Sequence, residues 1–146
     1  MEQQDFLTTC AVQLLYLVEY GDFDTQTMIG QGIVNDTAAH PTGETLKLGN
    51  HSGEDTNKDV GKRAVSYRGI ENFWGNIWTF VDGINIRDNI PYIADHGFQS
   101  DRFSTPYRSA GVTLWNKDGY PGDIAVSNAL DYAFLASTGG GSATTK

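Results

Sequence analysis

The stretch Tyr67–Ile86, YRGIENFWGNIWTFVDGINI, constrains the fold more than any other part of the chain. Phe73, Trp74, Trp78 and Phe80 stand beside Gly69, Gly75 and Gly83, with few charges between them. Each large ring buries much apolar area when it packs, and glycines permit left-handed turns and close backbone approach. Such a mixture marks the centre of a loop-rich domain. Ile70, Phe73, Trp74, Ile77, Trp78 and Val81 fall at helical spacing. Gly75-Asn76 interrupts that spacing, and IWTFV favours strand. These signals predict a short helix over 69–74, then a strand from Asn76 to Ile86. A second strand, Ile90 to Ala94, returns after a turn at Arg87-Asp88-Asn89. Trp74, Gly75, Asn76, Trp78 and Phe80 then form the structural core motif, and Trp78→Ala unfolds the domain at a cost of about 3–5 kcal/mol.

Residues 4–20 predict an amphipathic helix, with Phe6, Leu7, Cys10, Val12, Leu14, Leu15, Leu17 and Val18 close to helical spacing. Asp5 suits its N-cap and Gly21 its C-cap. Residues 21–34 predict a loop with a short extended segment near Met28 to Val34. Residues 35–63 are polar and predict a long surface loop, with a short hairpin around Leu46 to Leu48. Beyond residue 95 the chain is turn-rich, with short strands expected at 111–115, 124–126 and 132–136. The end, STGGGSATTK, reads as a flexible tail over 138–146.

The chain has 146 residues, enough for one domain, and its 39% hydrophobic content can build a core. Its 17 glycines, with many Asn, Asp, Ser and Thr, predict many turns. The net charge of -8 is spread along the chain, and no Lys/Arg cluster marks a nucleic-acid surface. The single cysteine, Cys10, excludes an intrachain disulfide and reads as a small buried hydrophobe. No stretch approaches the roughly 18 apolar residues of a membrane span. The polar start, MEQQDF, lacks the pattern of a signal peptide, so synthesis in the cytoplasm is expected.

The string W-G-N-I-W-T-F at 74–80 resembles the G-N-V-W-E-W signature of the C-type-lectin-like fold, in its formylglycine-generating-enzyme-like subgroup. The longer RGIENFWGNIWTFVDGINI is similar to a set of phage and prophage tail or fibre proteins with this fold. LLYLVEYGDFDTQTMIGQGI at 14–33 and GYPGDIAVSNALDYAFLASTGGGSATT at 119–145 fit the same set. The resemblance implies a single α+β domain over 1–146, with two helices around a small, twisted, mostly antiparallel sheet and long loops bearing the ligand surface. Family members continue past such a Gly-Gly-Ser stretch into a segment rich in Trp and Gly. A truncated or atypical member, or one completed by another chain, is therefore expected. The resemblance also implies a place in a virion tail, or release from the bacterial cytoplasm. Its expected partners are a host-surface glycan or protein, other tail or fibre chains, and further copies of itself.

Chemistry is less well marked. Formylglycine-type oxidation needs a reactive cysteine, and Cys10 has no basic partner nearby in sequence. His40, His51 and His96 sit in turn-like segments, and no G-x-S-x-G elbow is present. Glu19, Asp22 and Asp24, or Glu71 and Asp82, are carboxylates that a glycosidase would need, but their spacing is not diagnostic. Trp115-Asn116-Lys117-Asp118 echoes the Trp-Asn-Asp calcium motif of sugar-binding lectins, with an extra Lys and without its Glu-Pro-Asn partner. A calcium site therefore stays open, and no other cofactor is expected. Tyr92, Phe98, Phe103, Tyr107, Trp115 and Tyr120 are candidate sugar-stacking rings, with Asn116 and Asp118 as polar ligand-binding candidates. Asp82 and Asn85 are expected to hold loop backbone. These features favour a non-enzymatic recognition protein. The alternatives are a phage-associated glycan hydrolase on the same scaffold and a free-standing bacterial binding module.

Overall fold

The computed structural model describes residues 3–115, 121–125, 127–130 and 132–139. They form a mixed α+β structure of helices and small antiparallel sheets, dividing into two compact units. The first unit comprises the described residues within 3–21 and 80–139, and the second residues 22–79.

In the first unit, helix α1 spans Phe6–Tyr20, and its ends carry the expected caps. Asp5 accepts hydrogen bonds from the Thr8 amide and hydroxyl, both at 2.8 Å. Gly21, at φ 67, donates its amide to the Leu17 carbonyl. The buried face is narrower than the apolar pattern implied. Phe6, Cys10 and Tyr16 are buried, whereas Val18 is 85% exposed.

Strands β4 (Ile84–Arg87) and β5 (Ile90–Ile93) make the expected hairpin, but its turn is Asp88-Asn89 alone, Arg87 being part of β4 and paired with Ile90. Both turn residues have positive φ, 52° and 61°. That is the type I′ geometry whose twist matches the flanking strands. Strand β6 (Arg108–Ser109) extends this sheet beside β5. Alternation along the hairpin carries Ile93 and Ile84 to a core shared with Phe6, Cys10, Ala110, Leu130 and Leu135. It sets Asn85, Arg87 and Tyr92 on the opposite face. Strands β7 (Pro121–Ala125) and β8 (Leu135–Gly139) form a second hairpin near the expected strands at 124–126 and 132–136. Residues 111–115 form no strand.

In the second unit, β1 (Gly53–Glu54), β2 (Val65–Tyr67) and β3 (Ile70–Glu71) form an antiparallel sheet. Ile33, Ala64, Val65 and Tyr67 are its buried apolar residues. Helix α2 is one short turn, Thr25–Met28, with Asp24 accepting from the Thr27 amide at 2.9 Å. Leu46–Leu48 is a 3-10 turn rather than a hairpin.

Three expectations for the aromatic string fail. Residues 69–74 are not helical: Arg68 and Gly69, at φ 50° and 85°, turn β2 back into β3. The following strand begins at Ile84 instead of Asn76. Trp78 and Phe80 do not belong to the core, being 85% and 83% exposed. The physical reason is local. Asn76, at φ 63, takes a left-handed conformation that no strand accommodates, so residues 76–80 leave the sheet geometry in which alternate side chains would be buried.

Candidate functional site

Trp74, Gly75 and Asn76 form a clasp inside the second unit. The Trp74 indole Nε1 donates to the Gly30 carbonyl at 3.0 Å. At φ 80, Gly75 lies so close to the crossing segment that an added Cβ would stand 2.8 Å from the Ile33 amide nitrogen. The Asn76 amide donates to the Ile33 carbonyl at 2.8 Å. Its side chain then holds the backbone of His40 from both sides. Oδ1 accepts from the His40 amide at 2.9 Å, and Nδ2 donates to the His40 carbonyl at 3.1 Å. These three residues are therefore structural, fixing the start of the long polar segment.

That segment is held by charge. His40 lies 3.0 Å from Asp36 through Nε2 and 3.3 Å from Glu44 through Nδ1, and Lys58 bonds Glu44 at 2.5 Å. Asp36, then Glu44, hold the His40 imidazole above its ordinary pKa. Lys58 holds the Glu44 carboxyl below its usual value. His40, with a side chain only 11% exposed, is thus not the solvated loop histidine expected. Burial opposes the charge of Glu71, but bonds from Thr45 and Gly43 outweigh it and keep that carboxyl low. Glu71 anchors a loop, and Asp24 caps α2.

Among the described residues, a candidate ligand surface lies in the first unit. Asn85 projects from β4 and donates through Nδ2 to the carbonyls of Gln99 and Arg102, at 2.8 and 2.9 Å. Buried Tyr107 accepts the Gln99 amide on its hydroxyl at 3.0 Å. These three bonds fix residues 99–104 over the exposed face of the hairpin. The Arg87 guanidinium lies 4.5 Å from the centre of the Phe103 ring and 5.3 Å from that of Tyr92. The two rings meet edge to face at 5.3 Å. Arg87, Arg102, Asp101, Phe103 and the loop's polar residues line an open depression of about 520 Å³.

The sequence candidates are distributed unevenly around it. Tyr92 adjoins the depression as the ring beneath Arg87. Tyr107 supports it from below and is 5% exposed, too buried to stack on a sugar. Phe98 packs against Gly83, where an added Cβ would stand 2.9 Å from its ring, and remains 38% exposed. Trp115 packs on the backbone of Gly139, away from the residues lining the depression. Asn116, Asp118 and Tyr120 lie outside the described residues, and with them the calcium motif. Asn85 does hold loop backbone as expected, whereas Asp82 pairs through its main chain with Gln4 and Phe6. Arg87 and Arg102 escaped the sequence reading. The hairpin register carried a signal for Arg87, since Asn85 faces Tyr92 and Arg87 lies two residues further on the same face. Arg102 carried no comparable signal.

Burial pushes the Cys10 thiol up to about 11, and the residue is 1% exposed. His96 pairs with Asp95 on an exposed turn, and His51 is exposed. No group of three His, Cys, Asp or Glu side chains is arranged to hold a metal ion among those residues, and no described helix is long and apolar enough to cross a membrane. No protein-family model matches the chain, and no curated protein or solved structure matches it significantly.

Proposed function

We propose that the chain is a non-enzymatic recognition module with a C-type-lectin-like fold, part of a phage or prophage tail or fibre, that binds a host-surface receptor or glycan. The observation carrying this reading is the loop 99–104, tied by Asn85 and Tyr107 over the hairpin face so that an aromatic and cationic surface is formed in advance. Preformed loop surfaces bind with little reorganisation. Antiparallel sheets with helices and long loops are compatible with the fold that the W-G-N string suggests. Exposed Ile77, Trp78 and Phe80 are side chains that a neighbouring fibre chain would cover, in keeping with an oligomeric assembly.

Labelled protein applied to host cells and to a glycan array, with and without chelator, tests the proposal. Saturable binding that Phe103→Ser weakens, with no release of reducing sugar, is expected. Steady release of reducing ends that is abolished in an Asp or Glu variant would favour the hydrolase instead. Failure to bind any cell or glycan would remove the recognition reading.

A further inference from the structure

We infer that the depression at residues 99–104 reads an anionic group, a carboxylate or phosphate, on a saccharide ligand; this rests on the recognition reading above. Charge placement is the first argument. The chain carries 18 acidic against 10 basic residues, yet two arginines and one carboxylate, Asp101, line this depression. Lys47, Lys58 and Arg63 are each paired with a carboxylate at 2.5 Å, whereas Lys62 and Arg108, like the two arginines here, are in no ion pair among the described residues. Among the described residues, neither Arg87 nor Arg102 is in an ion pair, not even with Asp101.

Geometry is the second argument. The Arg87 guanidinium carbon lies over both the Phe103 and the Tyr92 ring, at 4.5 and 5.3 Å from their centres. Such cation–π contact restrains a guanidinium without consuming its N–H donors. Among the described residues, its one side-chain hydrogen bond is a long 3.4 Å contact to the Tyr92 hydroxyl. Arg102 donates from Nη1 to the Gln99 side chain at 2.9 Å, and its main chain is held by Asn85. A guanidinium carries five donors in a rigid fork matched to carboxylate and phosphate oxygens. Both arginines are thus restrained, and among the described residues most of their donors are unused. Asp101 and Ser100 provide acceptors for sugar hydroxyls beside them.

The test is an array of oligosaccharides bearing uronate, sialate or glycerol-phosphate groups, each beside its neutral counterpart. The uronates are paired with their carboxyl-reduced forms. At least one charged probe should bind tenfold or more above its neutral partner, with affinity falling as salt rises. Signal on uronate or sialate identifies a carboxylate, and signal on glycerol-phosphate alone identifies a phosphate. Arg87→Gln and Arg102→Gln should each lower that binding about tenfold, while Lys62→Gln leaves it unchanged. Circular dichroism of the variants confirms that they are folded. Equal binding to charged and neutral partners, or full binding by both arginine variants, overturns the inference. Binding to neutral glycans alone overturns it while sparing the recognition reading. No binding to any glycan or host cell overturns both.

Discussion

Asn76→Ala is the sharpest test of the clasp in the second unit. The substitution removes two hydrogen bonds, those that the Asn76 side chain makes with the His40 amide and carbonyl at 2.9 and 3.1 Å. Each is worth about 1 kcal/mol when its partner is half-buried. Alanine must also hold the left-handed conformation, φ 63, that asparagine tolerates better, for roughly 1 kcal/mol more. Together these give a loss of about 3 kcal/mol, or a fall of roughly 10 °C in melting temperature for a chain of this size. Asn76→Gly separates the two contributions, because glycine adopts positive φ without strain. It should lose about 2 kcal/mol, mostly from the missing bonds. Guanidinium titration measures the totals, and hydrogen exchange at the His40 amide reads the local effect. Asparagine variants within about 0.5 kcal/mol of the native protein, with undiminished protection at His40, would refute the assignment of this residue to a structural clasp.

Three further outcomes follow from burial and charge. Trp78→Ala should cost less than about 1 kcal/mol, because an 85% exposed ring loses little packing; denaturation showing a loss of several kcal/mol would place it in a core. Cys10 should resist a disulfide reagent at pH 8 in the native protein and react once denatured, since burial raises its thiol to about 11; rapid native labelling would contradict that burial. His40 is held above its ordinary pKa, so its contribution is complete below about pH 6.5 and is lost as pH rises through the folded value. Asp36 and Glu44 are held low, so their contribution is present above about pH 4.5 and is lost as pH falls. Protection of amides 36–44 should therefore be greatest between those limits and decline towards pH 8; His40→Gln should abolish the alkaline decline, and a native profile flat above about pH 6.5 would defeat the network.

Elements governed by local chemistry were the legible ones. Asp5 and Gly21 sit at the ends of α1 because a side-chain acceptor and a left-handed residue satisfy orphan backbone groups there, whatever the rest of the chain does. Asp88-Asn89 made the hairpin legible for the same reason, as both residues tolerate positive φ. The site was only partly visible. Tyr92 could be suspected from its type, but the value of Arg87 and Arg102 depends on a loop brought over β4 by Asn85. Such a long-range attachment leaves no periodic trace in sequence.

The aromatic string shows why residue type misled where residue conformation did not. Trp74 and Trp78 are four residues apart and chemically identical, and helical spacing assigns them one face. Between them stand Gly75 and Asn76, both with positive φ. Two successive left-handed residues reverse the path of the backbone, so neither helical nor strand periodicity survives across them. Trp74, before the reversal, turns back to bond Gly30. Trp78, after it, is carried out to solvent. An apolar pattern therefore predicts a shared face only as far as the dihedral angles that generate it continue. Gly-Asn within such a pattern ends its authority, and burial of the residues beyond has to be argued afresh from their own contacts.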